Sequence, residues 1–292
     1  MSFYFFRLIL SYFLIFLTAE VHAFRPTERT LWFDKSCSST VKNTVWKDVQ
    51  DMIRVSNLTT HPDPNSDAGS LFRYVFRDNK ESSYNFFEES IGAININVAS
   101  SKKQANTFIY CDQDKRWHKP GKEPHFLAKW FLRKKKSKKV SQKVWYDAEN
   151  HISWEPSSPL GIQAPACRPE AKSGAAGQTH CNVAHHGKTG DCAMSLCPTQ
   201  IDRDQVAFSQ TPKEENLAVK PGPGDINRYA FLSETLLHEI AHTLENEHTN
   251  SRWKDVKDGH RWKNVADPTR KAVMAQSDAE NLAYWGLGNL IP

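Results

Sequence analysis

The chain has 292 residues, a formal net charge of +5, 39% hydrophobic and 11% aromatic residues. That composition can bury a real core and excludes a globally disordered protein. The charge is too mild to define a nucleic-acid binder on its own, and the length fits one large domain or two small ones.

The first 23 residues read as a secretory signal. Arg7 precedes a largely apolar run from Leu8 to Leu17, and Val21 and Ala23 place small residues at the −3 and −1 positions of a cleavage site. The run is shorter than the ~20 residues of a membrane span. The expectation is a soluble, secreted, monomeric protein of residues 24–292, with no membrane and no nucleic acid as partner. Cys37, Cys111, Cys167, Cys181, Cys192 and Cys197 then predict three disulfides, with Cys37 to Cys111 as the first pair and the other four closing the Cys167 to Cys197 region. Asn57-Leu58-Thr59 is an N-glycosylation sequon, which expects that segment at the surface.

Val41, Val45, Val49, Met52 and Ile53 recur at helical spacing behind serines, predicting a helix over 39–55. His61 to Gly69, rich in Pro, Asp and Asn, predicts a loop. Leu71 to Phe76, Thr107 to Tyr110, Val144 to Tyr146 and Ile152 to Trp154 are β-branched or aromatic runs that predict strands. Arg133 to Lys139 carries six basic residues in seven. With no aromatic ladder or recognition helix beside it, this run reads as a solvated loop or insertion. Ala164 to Gly190, rich in Gly, Ala and Pro, predicts a long loop tethered by its cysteines. His180, His185 and His186 beside Cys181 are donors of a metal-binding type, but in an oxidising compartment the disulfide reading takes precedence.

The chemistry lies after the Pro221-Gly222-Pro223-Gly224 break. Ala230, Phe231, Leu236, Leu237, Ile240, Ala241 and Leu244 mark the apolar face of a helix that carries His238-Glu239-Ile240-Ala241-His242, an HExxH pattern. Four residues is slightly more than one helical turn, so both imidazoles leave one face and can hold a single Zn²⁺. Glu239 beside them is the candidate general base for a metal-activated water. A catalytic zinc usually keeps three protein ligands, so a third must follow. His248 has the spacing of the metzincin pattern, with Met274 as a candidate Met-turn, but Glu245 stands where that pattern has glycine. Six residues along an unbroken helix rotate a side chain by about 240°, so His248 reaches the metal only if the helix ends first. Asp255 is the other candidate.

Around Asp255 the sequence resembles a family. Ser251-Arg252-Trp253-Lys254-Asp255-Val256-Lys257-Asp258-Gly259 is similar to the GTxxDxxYG segment of the aspzincins, the deuterolysin-type fungal zinc endopeptidases. Cys192 to Pro198, Thr235 to Glu239 and Ser277 to Trp285 also resemble family segments, the last reading as a helix with a Ser277 and Glu280 capping box. The resemblance implies an α+β, zincin-like metallopeptidase domain, mostly helical around the site, with His238, His242 and Asp255 as ligands and a protein or peptide substrate. Ser251-Arg252 replaces the family's Gly-Thr, and Asp258 replaces the tyrosine that would help polarise the scissile carbonyl, leaving His260 as a substitute donor. More loosely, the chain resembles secreted fungal pH-regulated antigens that bind zinc and host proteins and carry His-Arg in place of His-Glu. That likeness implies the alternative of a zinc-binding or host-interaction protein with little catalysis. Glu239 is intact, which favours the peptidase.

Overall fold

The computed structural model describes residues 28–58, 65–77, 81–112, 115–118, 145–154, 176–181, 190–197, 232–244 and 278–290, apart from 148 and 151, with 63, 164–165, 167–168, 171 and 265 besides. The elements are β1 (Arg29–Phe33), a π-helical turn (Thr40–Val45) leading into α1 (Trp46–Leu58), α2 (Asp67–Phe76), α3 (Glu81–Gly92), β2 (Ile94–Asn95), β3 (Thr107–Tyr110), β4 (Trp117–His118), β5 (Trp145–Asp147), β6 (Ile152–Trp154), β7 (Gly177–Cys181), β8 (Cys192–Leu196), α4 (Leu232–Thr243) and α5 (Ala279–Leu290). The class is α+β, with a mixed sheet. No described helix is long and apolar enough to cross a membrane.

Five strands form one sheet in the order β2-β1-β3-β8-β7, parallel except for the β7–β8 pair. Strand alternation divides its side chains between two layers. Leu31, Phe33, Ile109, Met194 and Leu196 join the helices in the larger core, together with Val49, Met52, Phe72, Leu237, Ile240 and Trp285. Trp32, Phe108, Tyr110 and Ala193 face the other way, onto Trp117, Trp145 and Ile152 of the antiparallel β4-β5-β6 sheet. The five-stranded sheet thus has helices on one side and a small aromatic-rich sheet on the other.

Three disulfides form, Cys37–Cys111, Cys167–Cys197 and Cys181–Cys192, and no described cysteine is free. The first is the expected pair, and the other two close the expected region. The Cys181–Cys192 bridge joins residues that face each other in the β7–β8 register.

Three expectations change. Leu71 to Phe76 is helical, not a strand. Phe72, Val75 and Phe76 are buried at i, i+3 and i+4, the helical period, and Ser66 caps the start by accepting from Gly69 N at 3.1 Å. The predicted 61–69 loop therefore gives up Asp67 to Gly69 to α2. The predicted 164–190 loop contains β7, held in place by its pairing with β8. The strands over 107–110 and 152–154 form with the predicted ends, and the helix over 39–55 and the strand around 145–146 form with shifted ends. The signal segment, the basic run over 133–139, His185 and His186 lie outside the described residues.

Candidate metal centre

Helix α4 is buried on almost every side. Leu236, Leu237, Ile240 and Ala241 belong to the main core, and Ser233, Glu234, His238, Glu239 and Thr243 are buried as well. A helix this polar is stable inside a protein only if its polar groups find partners, and those partners build the site.

Arg29 of β1, itself buried, donates from Nε to the carbonyl of Thr243 and from Nη1 to that of Gly190 at 2.8 Å. A guanidinium at the C-terminal end of α4 satisfies a carbonyl the helix cannot and complements its dipole. α5 lies against α4 closely enough that a Cβ on Gly286 would come 2.6 Å from Leu237 Cδ2 and 3.1 Å from Met52 Cβ of α1. The axis of the site helix is therefore fixed by a strand at one end and two helices along its length.

On one face of α4, His238 Nε2 and His242 Nε2 lie 3.1 Å apart, with the rings nearly perpendicular at 79°. Two Zn–N bonds of about 2.0–2.1 Å at a tetrahedral angle would set their nitrogens roughly 3.3 Å apart. The two imidazoles thus fit a shared metal ion. Behind the first ring, Glu280 of α5 places Oε2 2.9 Å from His238 Nδ1. A carboxylate beside the ring is the kind of charge partner that histidine ligands of a metal have behind them.

At the start of α5 Asp278 Oδ1 accepts from Glu280 N at 3.1 Å, which caps the helix, and the Glu280 side chain lies against His238. Ser277, the other half of the predicted capping box, lies outside the described residues. Glu234, also buried, stands close to Glu280 and His238. Burial, reinforced by the Glu280 charge, pushes its carboxyl up to about 8, and His238 acts in the opposite direction. Sequence reasoning missed both acids. Their signal was available in retrospect: Glu234 precedes His238 by one helical turn, and Glu280 stands in one of the segments that carries the family resemblance.

Glu239 points to β7. Thr179 Oγ1 lies 2.6 Å from Glu239 Oε2 and 3.0 Å from its main-chain carbonyl oxygen, and a Cβ on Gly177 would come within 2.9 Å of Glu239 Cγ. His180, next on the strand, faces the opposite layer and stands edge-on to Trp117 at 5.1 Å. Cys181 and Cys192 are a disulfide, so neither offers a thiolate to a metal.

The structure brings His238 and His242 together and sets the Glu239 side chain against β7. Asp255, His248, Met274, Asp258 and His260 lie outside the described residues. Among the described residues there is no group of three or more His, Cys, Asp or Glu arranged to hold a metal. Comparisons with protein-family models, curated proteins and solved structures return no match.

Proposed function

We propose that the chain is a secreted zinc-dependent endopeptidase of zincin-like architecture, related to the aspzincins it resembles. The observation that carries the reading is the convergence of His238 Nε2 and His242 Nε2 to 3.1 Å on a buried helix, with Glu239 between them in sequence. Two orphan surface histidines would not need a buried carboxylate behind one ring, and here Glu280 stands there.

In this reading His238, His242 and Asp255, or His248 in its place, hold one zinc per chain. Bound zinc supplies Lewis-acid chemistry, polarising a peptide carbonyl and making a water more acidic. Glu239 takes the proton from the attacking water at its carboxylate and passes it to the departing amine nitrogen. Glu280 supplies a negative charge beside the His238 ring, and the bulk of α1 and α5 against α4 keeps the two imidazoles in register. The paired cysteines and the N-terminal segment support an extracellular setting.

One departure favours a second reading. Asp258 stands where the resembled family has a carbonyl-polarising tyrosine, as expected of a zinc-binding or host-interaction protein with little hydrolysis. Metal analysis tests the shared part of both readings. Purified protein is expected to hold about one zinc, and the double change of His238 and His242 to Ala to hold none. Asp255→Ala is expected to weaken zinc binding by about ten- to a hundredfold while His248→Ala changes it little, since a third ligand contributes a bond and a compensating charge. The reverse ranking would make His248 the ligand. Wild-type protein that takes up no zinc from a metal buffer would end both readings.

A further inference from the structure

The catalytic reading needs Glu239 to be aimed, and α4 alone does not aim it. A glutamate has three side-chain torsions, and a helix position restricts only the first strongly. What limits the rest comes from β7, a strand more than fifty residues earlier in the chain. Gly177 and Thr179 are two apart, so they share the face of β7 opposite to His180. Their sheet partners confirm the side: Gly177 is in register with Leu196 and Thr179 with Met194, both in the helix-facing core.

Each of the two residues acts on a different part of the carboxylate. Thr179 Oγ1 stands 2.6 Å from Oε2 and so donates its proton there, the contact to the Glu239 main-chain oxygen at 3.0 Å being longer. Gly177 contributes space. A Cβ built on it would sit 2.9 Å from Glu239 Cγ, 3.0 Å from Oε1 and 3.2 Å from Cδ. Any side chain at 177 would push the Glu239 carboxylate out of its place. One residue holds the carboxylate by a hydrogen bond, and the other makes room for it.

We propose that Gly177 and Thr179 are positioning residues for Glu239, with β7 serving as the surface that orients the general base. The role rests on the peptidase reading of the site. It also distinguishes that reading from simple zinc binding, because a zinc carrier has no use for an oriented Glu239.

The test uses the full secreted chain loaded with zinc. Thr179→Val removes the hydroxyl and keeps the shape. It is expected to lower kcat by about ten- to a hundredfold with KM within about twofold and zinc content unchanged, the pattern of a misplaced catalytic group. Thr179→Ser, which keeps the hydroxyl, is expected to recover most of that loss. Gly177→Ala is expected to lower kcat like Thr179→Val, because the added Cβ displaces the same carboxylate. A readout independent of turnover is the melting temperature of the metal-free protein: Thr179→Val should lower it in the wild-type background and lower it less when Glu239 is already Gln, since the two side chains interact. Full activity in Thr179→Val, or equal losses in the Val and Ser variants, would overturn the positioning role while leaving the peptidase standing. A zinc-loaded wild type that cleaves no peptide would sink the peptidase reading and this role with it.

Discussion

Arg116 joins the five-stranded sheet to the small sheet through a single side chain. It is buried, with Nε 2.7 Å from Asp147 Oδ2, Nη2 2.6 Å from Ser195 Oγ, and its guanidinium 4.2 Å above the Tyr110 ring. Such a cation is tolerated inside because Asp147 and Ser195 accept from it and the Asp147 carboxylate matches its charge. His180 sits within its field. Burial, and next the Arg116 charge, pull the His180 pKa down to about 3 from an ordinary 6.5. The native ring therefore stays neutral over a range where the unfolded chain takes up a proton. Its contribution to stability is complete above pH 6.5 and is lost as pH falls towards about 3. Replacing His180 by Phe, which keeps an aromatic edge for Trp117, should flatten the acid side of the stability curve. One proton's difference corresponds to a slope of at most about 1.4 kcal/mol per pH unit. Urea unfolding of both proteins at pH 7 and pH 4 checks this, and parallel losses of stability on acidification would contradict it.

At the scale of elements, the site depends on how closely α5 can approach α4. Gly286 is the contact point, with no room for a Cβ between Leu237 and Met52. Glycine inside a helix ordinarily costs ~1 kcal/mol relative to alanine, so a larger residue would stabilise α5 if it were exposed. Here overpacking wins: Gly286→Val should lower the unfolding free energy by ~1–3 kcal/mol. Because Glu280 lies on the same helix, the variant should also bind zinc more weakly. An unchanged or raised melting temperature in that variant would show that α5 sits farther from α4 than described. The elements also differ in how legible they were. The apolar period of α4 and the HExxH spacing were plain, since both are local patterns. Leu71 to Phe76 misled because aromatic and β-branched residues suit strands, while the burial of Phe72, Val75 and Phe76 follows the helical period and needed the Ser66 cap to decide it. β7 was illegible for another reason. Gly177-Gln178-Thr179-His180-Cys181 has almost no strand preference of its own, and its conformation comes from pairing with β8 and the Cys181–Cys192 bridge.

At the scale of the whole molecule, the chain uses its sheet as a partition. Helices and the site lie on one side, and the aromatic small sheet with Arg116 and His180 on the other. Strand alternation carries this division, so neighbouring residues of β7 serve opposite layers: Thr179 turns to Glu239 and His180 to Trp117. The sequence alone could reach His238, Glu239 and His242 because one helix presents them. It could not reach Thr179 or Gly177, which meet the site only after the chain has folded back from a distant segment. The central claim is that these residues together form a hydrolytic zinc site, and casein cleavage by the purified zinc-loaded protein tests it most directly. Wild type is expected to cleave, to lose cleavage with a chelator and to regain it with added zinc. Glu239→Gln is expected to keep its zinc and cleave at least about a hundredfold more slowly, because an amide cannot take the proton. Cleavage that survives the chelator, or a Glu239→Gln protein as active as wild type, would contradict the account.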